Sequence, residues 1–196
     1  YFMAGFPGER PEDIDGIVTL SRKVSDARRE LGKGPANVNA SVGWLVPKPY
    51  TPFQWAAQPR AEYFHEARRR MSSLVRDSRG RKGASVKIKT HSVERSVLEA
   101  VMARGDRRLA DSIEHAYRHG ARFDGGDECF NASLWHRAFD ATGIDPAWYA
   151  HRERPRDEVF PWAHLHGGAP DEYLNRQYDD ALVQVGGGAS TEMASA

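Results

Sequence analysis

The chain is poor in cysteine, in net charge and in long apolar runs. Cys129 is the only thiol among 196 residues. One thiol makes no internal disulfide, no cysteine-type zinc site and no complete iron–sulfur ligand set. With 28 Lys+Arg against 27 Asp+Glu the formal charge is +1, which excludes a globally basic nucleic-acid binder and an acidic tail protein. No apolar run approaches the roughly 20 residues of a spanning helix, and no basic-then-apolar leader opens the chain. The expected location is therefore the cytoplasm, where a lone thiol stays reduced. Apolar residues make up 40% and charged ones 28%, enough to build a core in one domain or one and a half.

The run Tyr1-Phe2-Met3-Ala4-Gly5 reads as a buried parallel strand. No strand precedes it, so the chain is expected to be the C-terminal piece of a longer protein. Gly5-Phe6-Pro7-Gly8-Glu9 is a turn. Pro11, with Glu12 and Asp13, then opens a helix carrying Ile14, Ile17, Val18, Val24 and Leu31, which Gly32 and Gly34 end. Residues 38–46 alternate as a second strand, with Val38, Ala40, Val42, Trp44 and Val46 on one face. Strand–helix–strand at this length predicts a right-handed parallel unit. Pro47-Lys48-Pro49-Tyr50-Thr51-Pro52-Phe53-Gln54-Trp55 reads as a stiff irregular loop. It leaves the C-terminal end of a strand, where α/β folds bind ligands.

Downstream the patterns are mostly helical. A helix is predicted over 60–77, then a turn at Arg79-Gly80-Arg81-Lys82-Gly83 and a half-exposed strand at 85–90. Ser92 and Asp106 are candidate caps, the second for a helix with Leu109, Ile113 and Tyr117 inside. Asn131 and Gly143 bracket another helix, and Pro146 and Pro170 open two more, the last with Tyr173, Leu174 and Tyr178. The Gly-, Ala- and Ser-rich residues 186–196 read as a disordered tail. The expected division is 1–56 as an α/β part, 57–185 as a mostly helical part, and 186–196 as tail.

Each chemical constellation has a plain structural counterpart. Gly5 and Gly8 either admit a ligand to the backbone or serve a tight turn. Lys48 is available to an anion, or belongs to a proline-stiffened linker. His115 and His119 share a helix face and would suit zinc with a third ligand, but no glutamate completes an H-E-x-x-H pattern. His164 and His166 flank Leu165. Solvent-facing histidines, no metal site and a structural Cys129 are the expectation. Asp106 and Asp124 are placed to hold Arg107 and Arg122 in an ion-pair network; alternatively Arg104, Arg107 and Arg122 face a substrate anion. Residues 60–95 hold 11 Lys+Arg against four Asp+Glu, a local +7. That stretch supports an alternative, non-enzymatic reading as an RNA- or polyanion-binding or protein-interaction module.

Together these blocks resemble a known family. Phe2-Met3-Ala4-Gly5-Phe6-Pro7-Gly8-Glu9 resembles a late-strand segment of radical S-adenosylmethionine enzymes, and Val46-Pro47-Lys48-Pro49-Tyr50-Thr51-Pro52-Phe53-Gln54-Trp55 the segment after the final barrel strand. The stretches 98–109, 120–125, 138–145 and Phe160-Pro161-Trp162 follow in the order seen in a bacterial family of fused, B12-binding-domain-containing radical S-adenosylmethionine proteins. The resemblance covers about residues 1–182. It implies an α/β chain holding the last two strands of a partial (β/α)6 barrel, then an α-rich extension with one extra strand. It implies S-adenosylmethionine and a [4Fe–4S] cluster in the full-length protein, with cobalamin in a further N-terminal domain. Phe2, Met3, Gly5, Pro7, Gly8, Glu9, Leu45 and Val46 would shape the adenine-side wall. Lys48, Arg104, Arg107 and Arg122 would be candidates for the substrate. The C-x-x-x-C-x-x-C cluster loop is absent from this chain, so the implied partner is the remainder of the same protein, and the chain alone is expected to be inactive.

Overall fold

The structure, a computed structural model, describes residues 1–34, 36–77, 85–126, 128–165 and 168–186. The expected basic turn at 79–83, His166 and the expected tail from 187 onward lie outside the described residues. The chain divides into two units, Tyr1–Leu45 with Pro59–Val93, and Val46–Gln58 with Glu94–Ala196. The boundary thus departs from the expected cut after residue 56. The second helix and third strand, assigned from sequence to the helical part, belong with the N-terminal βαβ segment.

In the first unit, β1 (Phe2–Ala4), β2 (Asn37–Trp44) and β3 (Ser85–Thr90) form one parallel sheet in the order β1-β2-β3. Phe2 stands opposite Val42 and Ala4 opposite Trp44, while Val38 stands opposite Val86 and Ala40 opposite Ile88. The helices α1 (Pro11–Glu30) and α2 (Ala61–Asp77) make the two crossovers. One face of the sheet packs with Ile14, Ile17 and Val18 of α1 and Phe64, Ala67 and Met71 of α2. Burying such side chains stabilises by about 1.5–3 kcal/mol each. Phe2, Val42, Trp44 and Ile88 belong to this core, because period-2 alternation sends them all to one face.

Pro11 does open α1, with Glu12 and Asp13 in its first turn; the Asp13 carboxylate accepts from the Arg10 N–H at 2.8 Å. The expected apolar stripe, however, is only half right. Val24 and Leu31 are exposed, and Ser21 and Ser25 occupy the buried positions instead. Ser21 Oγ donates to the Ile17 carbonyl at 2.7 Å, and Ser25 Oγ to the Ala36 carbonyl at 2.6 Å. Hydroxyls satisfied in this way are cheap to bury.

The second unit carries α3 (Val93–Arg104, its first residue in the first unit), α4 (Leu109–Arg118), α5 (Ala132–Thr142), α6 (Pro146–Ala150) and α7 (Asp171–Gly186). The side chains of Asn131 and Asp145 cap α5 and α6, and Gly143 ends α5 in the left-handed region at φ 66°. In α4 the buried residues are Leu109, Ser112 and Ala116, whereas Ile113 and Tyr117, expected inside, are exposed. Small residues decide this, since Ala116 packs with Ala138 of α5 and Ser112 Oγ lies 2.6 Å from Thr142 Oγ1. In α7, Leu174 and Tyr178 are buried and Tyr173 is exposed. The proline-rich segment, read as wholly irregular, contains a 3₁₀ turn at Pro52–Trp55. Among the described residues no helix is long and apolar enough to cross a membrane.

Candidate functional site

The turn after β1 sits at the C-terminal end of the strand, held from two sides. Gly5 has φ +105°, and a Cβ there would meet Phe64 Cε1 at 2.7 Å. Glycine at this position is therefore demanded by packing on Phe64 as well as by the turn. The Glu9 carboxylate accepts from the Gly5 N–H at 2.7 Å and from the Tyr63 hydroxyl. Burial raises the Glu9 carboxyl above its ordinary range, against the lowering pull of those two donors. Burial, then the hydrogen bond to Glu9, raises the Tyr63 phenol.

Of the expected wall residues, Phe2 faces the helical layer, Gly5 is covered by Phe64, and Leu45 is buried with its N–H on the Ala4 carbonyl at 2.8 Å. Met3 and Gly8 are exposed, the latter at φ +78°, and Pro7 is half-buried. Val46 belongs to the second unit and packs beside Ala100, Val101 and Leu109.

Among the described residues, the other face of the sheet carries no helix of the first unit. Register places Met3 beside Gly43, Ser41 beside Lys89, Asn39 beside Lys87, and Asn37 beside Ser85 on that face. Met3, Asn37, Asn39, Lys87 and Lys89 are exposed. Parallel sheets are ordinarily apolar and covered on both faces, so this polar, open face is the unit's most unusual feature. Sequence reading counted the two lysines within a basic stretch and missed the face. The pairing of β3 with β2 assembles it, and only the alternation of 85–90 hinted at it.

In the second unit the proline-rich segment and Phe160-Pro161-Trp162 come together. Tyr50, at φ 57°, gives its N–H to Gln54 Oε1 at 3.1 Å, and its hydroxyl lies 2.9 Å and 2.7 Å from the Trp162 and Leu165 carbonyls. Trp162 Nε1 donates to the same Gln54 oxygen at 3.3 Å. Tyr50, Gln54, Trp55, Phe160, Trp162 and Asn175 line a cavity of about 440 Å³, a size suited to small molecules.

The candidate substrate cations are mostly committed elsewhere. Lys48 pairs with Glu99 at 2.6 Å. Arg104 is fully buried, which corrects its expected place facing an anion. It donates to the carbonyls of Ala56 at 2.7 Å, Ala150 at 3.1 Å and Arg152 at 2.8 Å. Burial first, then Arg154 and Arg152, pushes its guanidinium down to about 10. Buried Arg154 in turn donates to the Arg104 carbonyl at 2.7 Å, and Arg152 holds Glu158 through two bonds of 2.6 and 2.8 Å.

The expected network of Asp106 and Asp124 with Arg107 and Arg122 is also corrected. Asp106 pairs with Arg108 at 2.6 Å, Asp124 accepts from Trp135 Nε1 at 2.9 Å, and Arg122 lies over the Tyr117 ring. Arg107 is exposed. The His115 and His119 rings stack with centroids 4.0 Å apart, and Cys129 is exposed. Among the described residues no group of three metal-ligating side chains assembles.

Comparison with known proteins is sparse. No family model matches the chain, and no solved structure matches it. Over 116 residues it is 26% identical to an uncharacterized protein of the archaeon Methanocaldococcus jannaschii. The alignment covers 59% of this chain and 23% of that protein; the chain thus spans about a quarter of the relative it matches.

Proposed function

We propose that the chain is the C-terminal part of a radical S-adenosylmethionine enzyme, with β1 and β2 as late barrel strands. The open polar face of a parallel sheet is the observation that carries this reading. Helices cover one side only, as they do in a barrel wall, and Met3, Asn39 and Ser41 lie on the side that would be the lumen. The match to about a quarter of a longer relative agrees with it. The residues left for the adenine are Met3, Pro7 and Gly8, with Glu9 and Tyr63 fixing the turn that presents them. The [4Fe–4S] cluster does not fit on this chain. Cys129 is one thiol where three are needed, so the cluster ligands would come from the remainder of the protein, and no chemical step follows from these residues. A cobalamin domain would lie there too, and the cytoplasm would be the working compartment.

The test begins by reading the DNA ahead of the Tyr1 codon. An in-frame segment encoding C-x-x-x-C-x-x-C is expected. The long protein, reconstituted with iron and sulfide under anaerobic conditions and given a reductant, should release 5′-deoxyadenosine from S-adenosylmethionine. Replacing one cluster cysteine by alanine should abolish that product. A stop codon followed by a start codon just ahead of Tyr1 would overturn the reading.

A further inference from the structure

We infer that the open sheet face binds the backbone of a single-stranded RNA, with Lys87 and Lys89 as its cations. Both lysines are exposed, and neither side chain makes an ion pair or hydrogen bond among the described residues. They alternate along β3, so they point to one face about 6.6 Å apart. Asn39 and Ser41 are their partners in register on β2, and Asn37 extends the row. The face is thus an ammonium row beside an amide and hydroxyl row. Lysines on an edge strand also discourage sheet-to-sheet association. That role does not explain the second row, because β2 is the central strand of a parallel sheet, where both faces are ordinarily apolar.

Charge points to the same class of partner. The first unit holds 16 Lys+Arg against nine Asp+Glu, and such a surplus draws polyanions. An acidic protein is the weaker match. Protein interfaces are anchored by buried aromatic and apolar side chains, and this face offers Met3 alone. Phosphate contacts need only cations and neutral hydrogen-bonding groups. The face has no aromatic platform for bases, so binding should be largely indifferent to sequence. As a substrate the RNA would have to enter the lumen that the radical S-adenosylmethionine reading makes of this face; the binding itself does not rest on that reading, and iron-free protein suffices to test it.

The experiment is fluorescence anisotropy with a labelled uridine oligonucleotide of about 20 nucleotides, from about 50 to 200 mM NaCl. Binding should weaken steeply with salt. K87Q/K89Q should lower affinity about tenfold and flatten the slope of log K against log salt by about 1.4, two contacts' worth. K87R/K89R should keep wild-type binding, which shows that the strand tolerates substitution there. R68Q/R69Q removes the same charge from exposed positions on α2 and should change binding much less. The inference is overturned by any of three results: no binding by wild type at low salt, equal losses in K87Q/K89Q and R68Q/R69Q, or polyglutamate competing as well as RNA through the same lysines.

Discussion

The first unit carries a net charge of +7 and buries none of its described charged side chains; the second carries −6 and buries two arginines. The first closes its core with apolar residues and two serines that satisfy themselves on nearby carbonyls. Its cations stay at the surface, where water solvates them. The second unit has 18 Asp+Glu, yet Arg104 turns to none of them directly. Three backbone carbonyls receive it, each 46 to 48 residues from Arg104 in sequence. Net charge therefore says little about which charges a fold uses internally. A guanidinium can serve as a bracket among backbone carbonyls in loops and at a helix end.

Removing that bracket should give the largest effect. Arg104→Ala takes a donor from the carbonyls of Ala56 and Arg152 and leaves Ala150 with the Gln58 N–H, and should cost about 3–5 kcal/mol. Chemical denaturation followed by tryptophan fluorescence reads it, since four of the five tryptophans lie in the second unit. Arg104→Lys should recover part of the loss, because an ammonium reaches fewer of the three acceptors. A loss below about 1 kcal/mol in Arg104→Ala would erase the contrast between the units.

The first unit should fail by crowding rather than by a lost bond. Gly5→Ala drives a methyl into Phe64 at a position of positive φ, for about 3 kcal/mol in all. Phe64→Leu in the same chain should relieve the steric part and leave the backbone part. Full restoration by Phe64→Leu would mean that the turn itself carries no strain.

Much of this was legible in the sequence, and the failures share a cause. The cap at Asn131, the stop at Gly143, the start at Pro146 and the limits of β3 follow from local rules, and local rules survive folding. Val24, Leu31, Ile113 and Tyr117 were expected inside on hydrophobicity, whereas Ser21, Ser25, Ser112 and Ala116 took those places. Close approach of two elements selects for small volume, which an apolar stripe does not register. Arg104 was read as a candidate for an anion because its acceptors are backbone atoms distant in sequence. The open face escaped for the same reason, since Lys87 and Lys89 gain their neighbours only when β3 joins β2.

A third test sharpens the comparison through pH. Glu9 holds its proton more tightly in the folded chain than in the unfolded one. Its contribution to stability is thus complete below the ordinary carboxylate range and is lost as pH rises through the raised value. Wild type should lose stability relative to Glu9→Gln across that interval, read as the pH dependence of the denaturation midpoint. A flat difference would mean that the carboxyl is solvated rather than buried against Tyr63.

Asp106 should give the smallest effect, and of opposite sign. The Arg108 guanidinium holds its carboxyl down to about 2, so the pair supports the fold above the ordinary carboxylate range and is lost as pH falls toward 2. Arg108 is exposed by 58% and Asp106 by 23%, so solvent screening keeps the contribution small. Asp106→Asn should therefore remove a shallow acid limb and leave neutral stability almost unchanged. The value of the test is its pairing with Arg104→Ala. Within one acidic unit, an arginine facing a carboxylate in water should matter several times less than one facing three carbonyls in the interior. Equal losses would show that the interior bracket adds nothing beyond a surface ion pair. The second unit would then resemble the first in drawing nothing from charges in its interior.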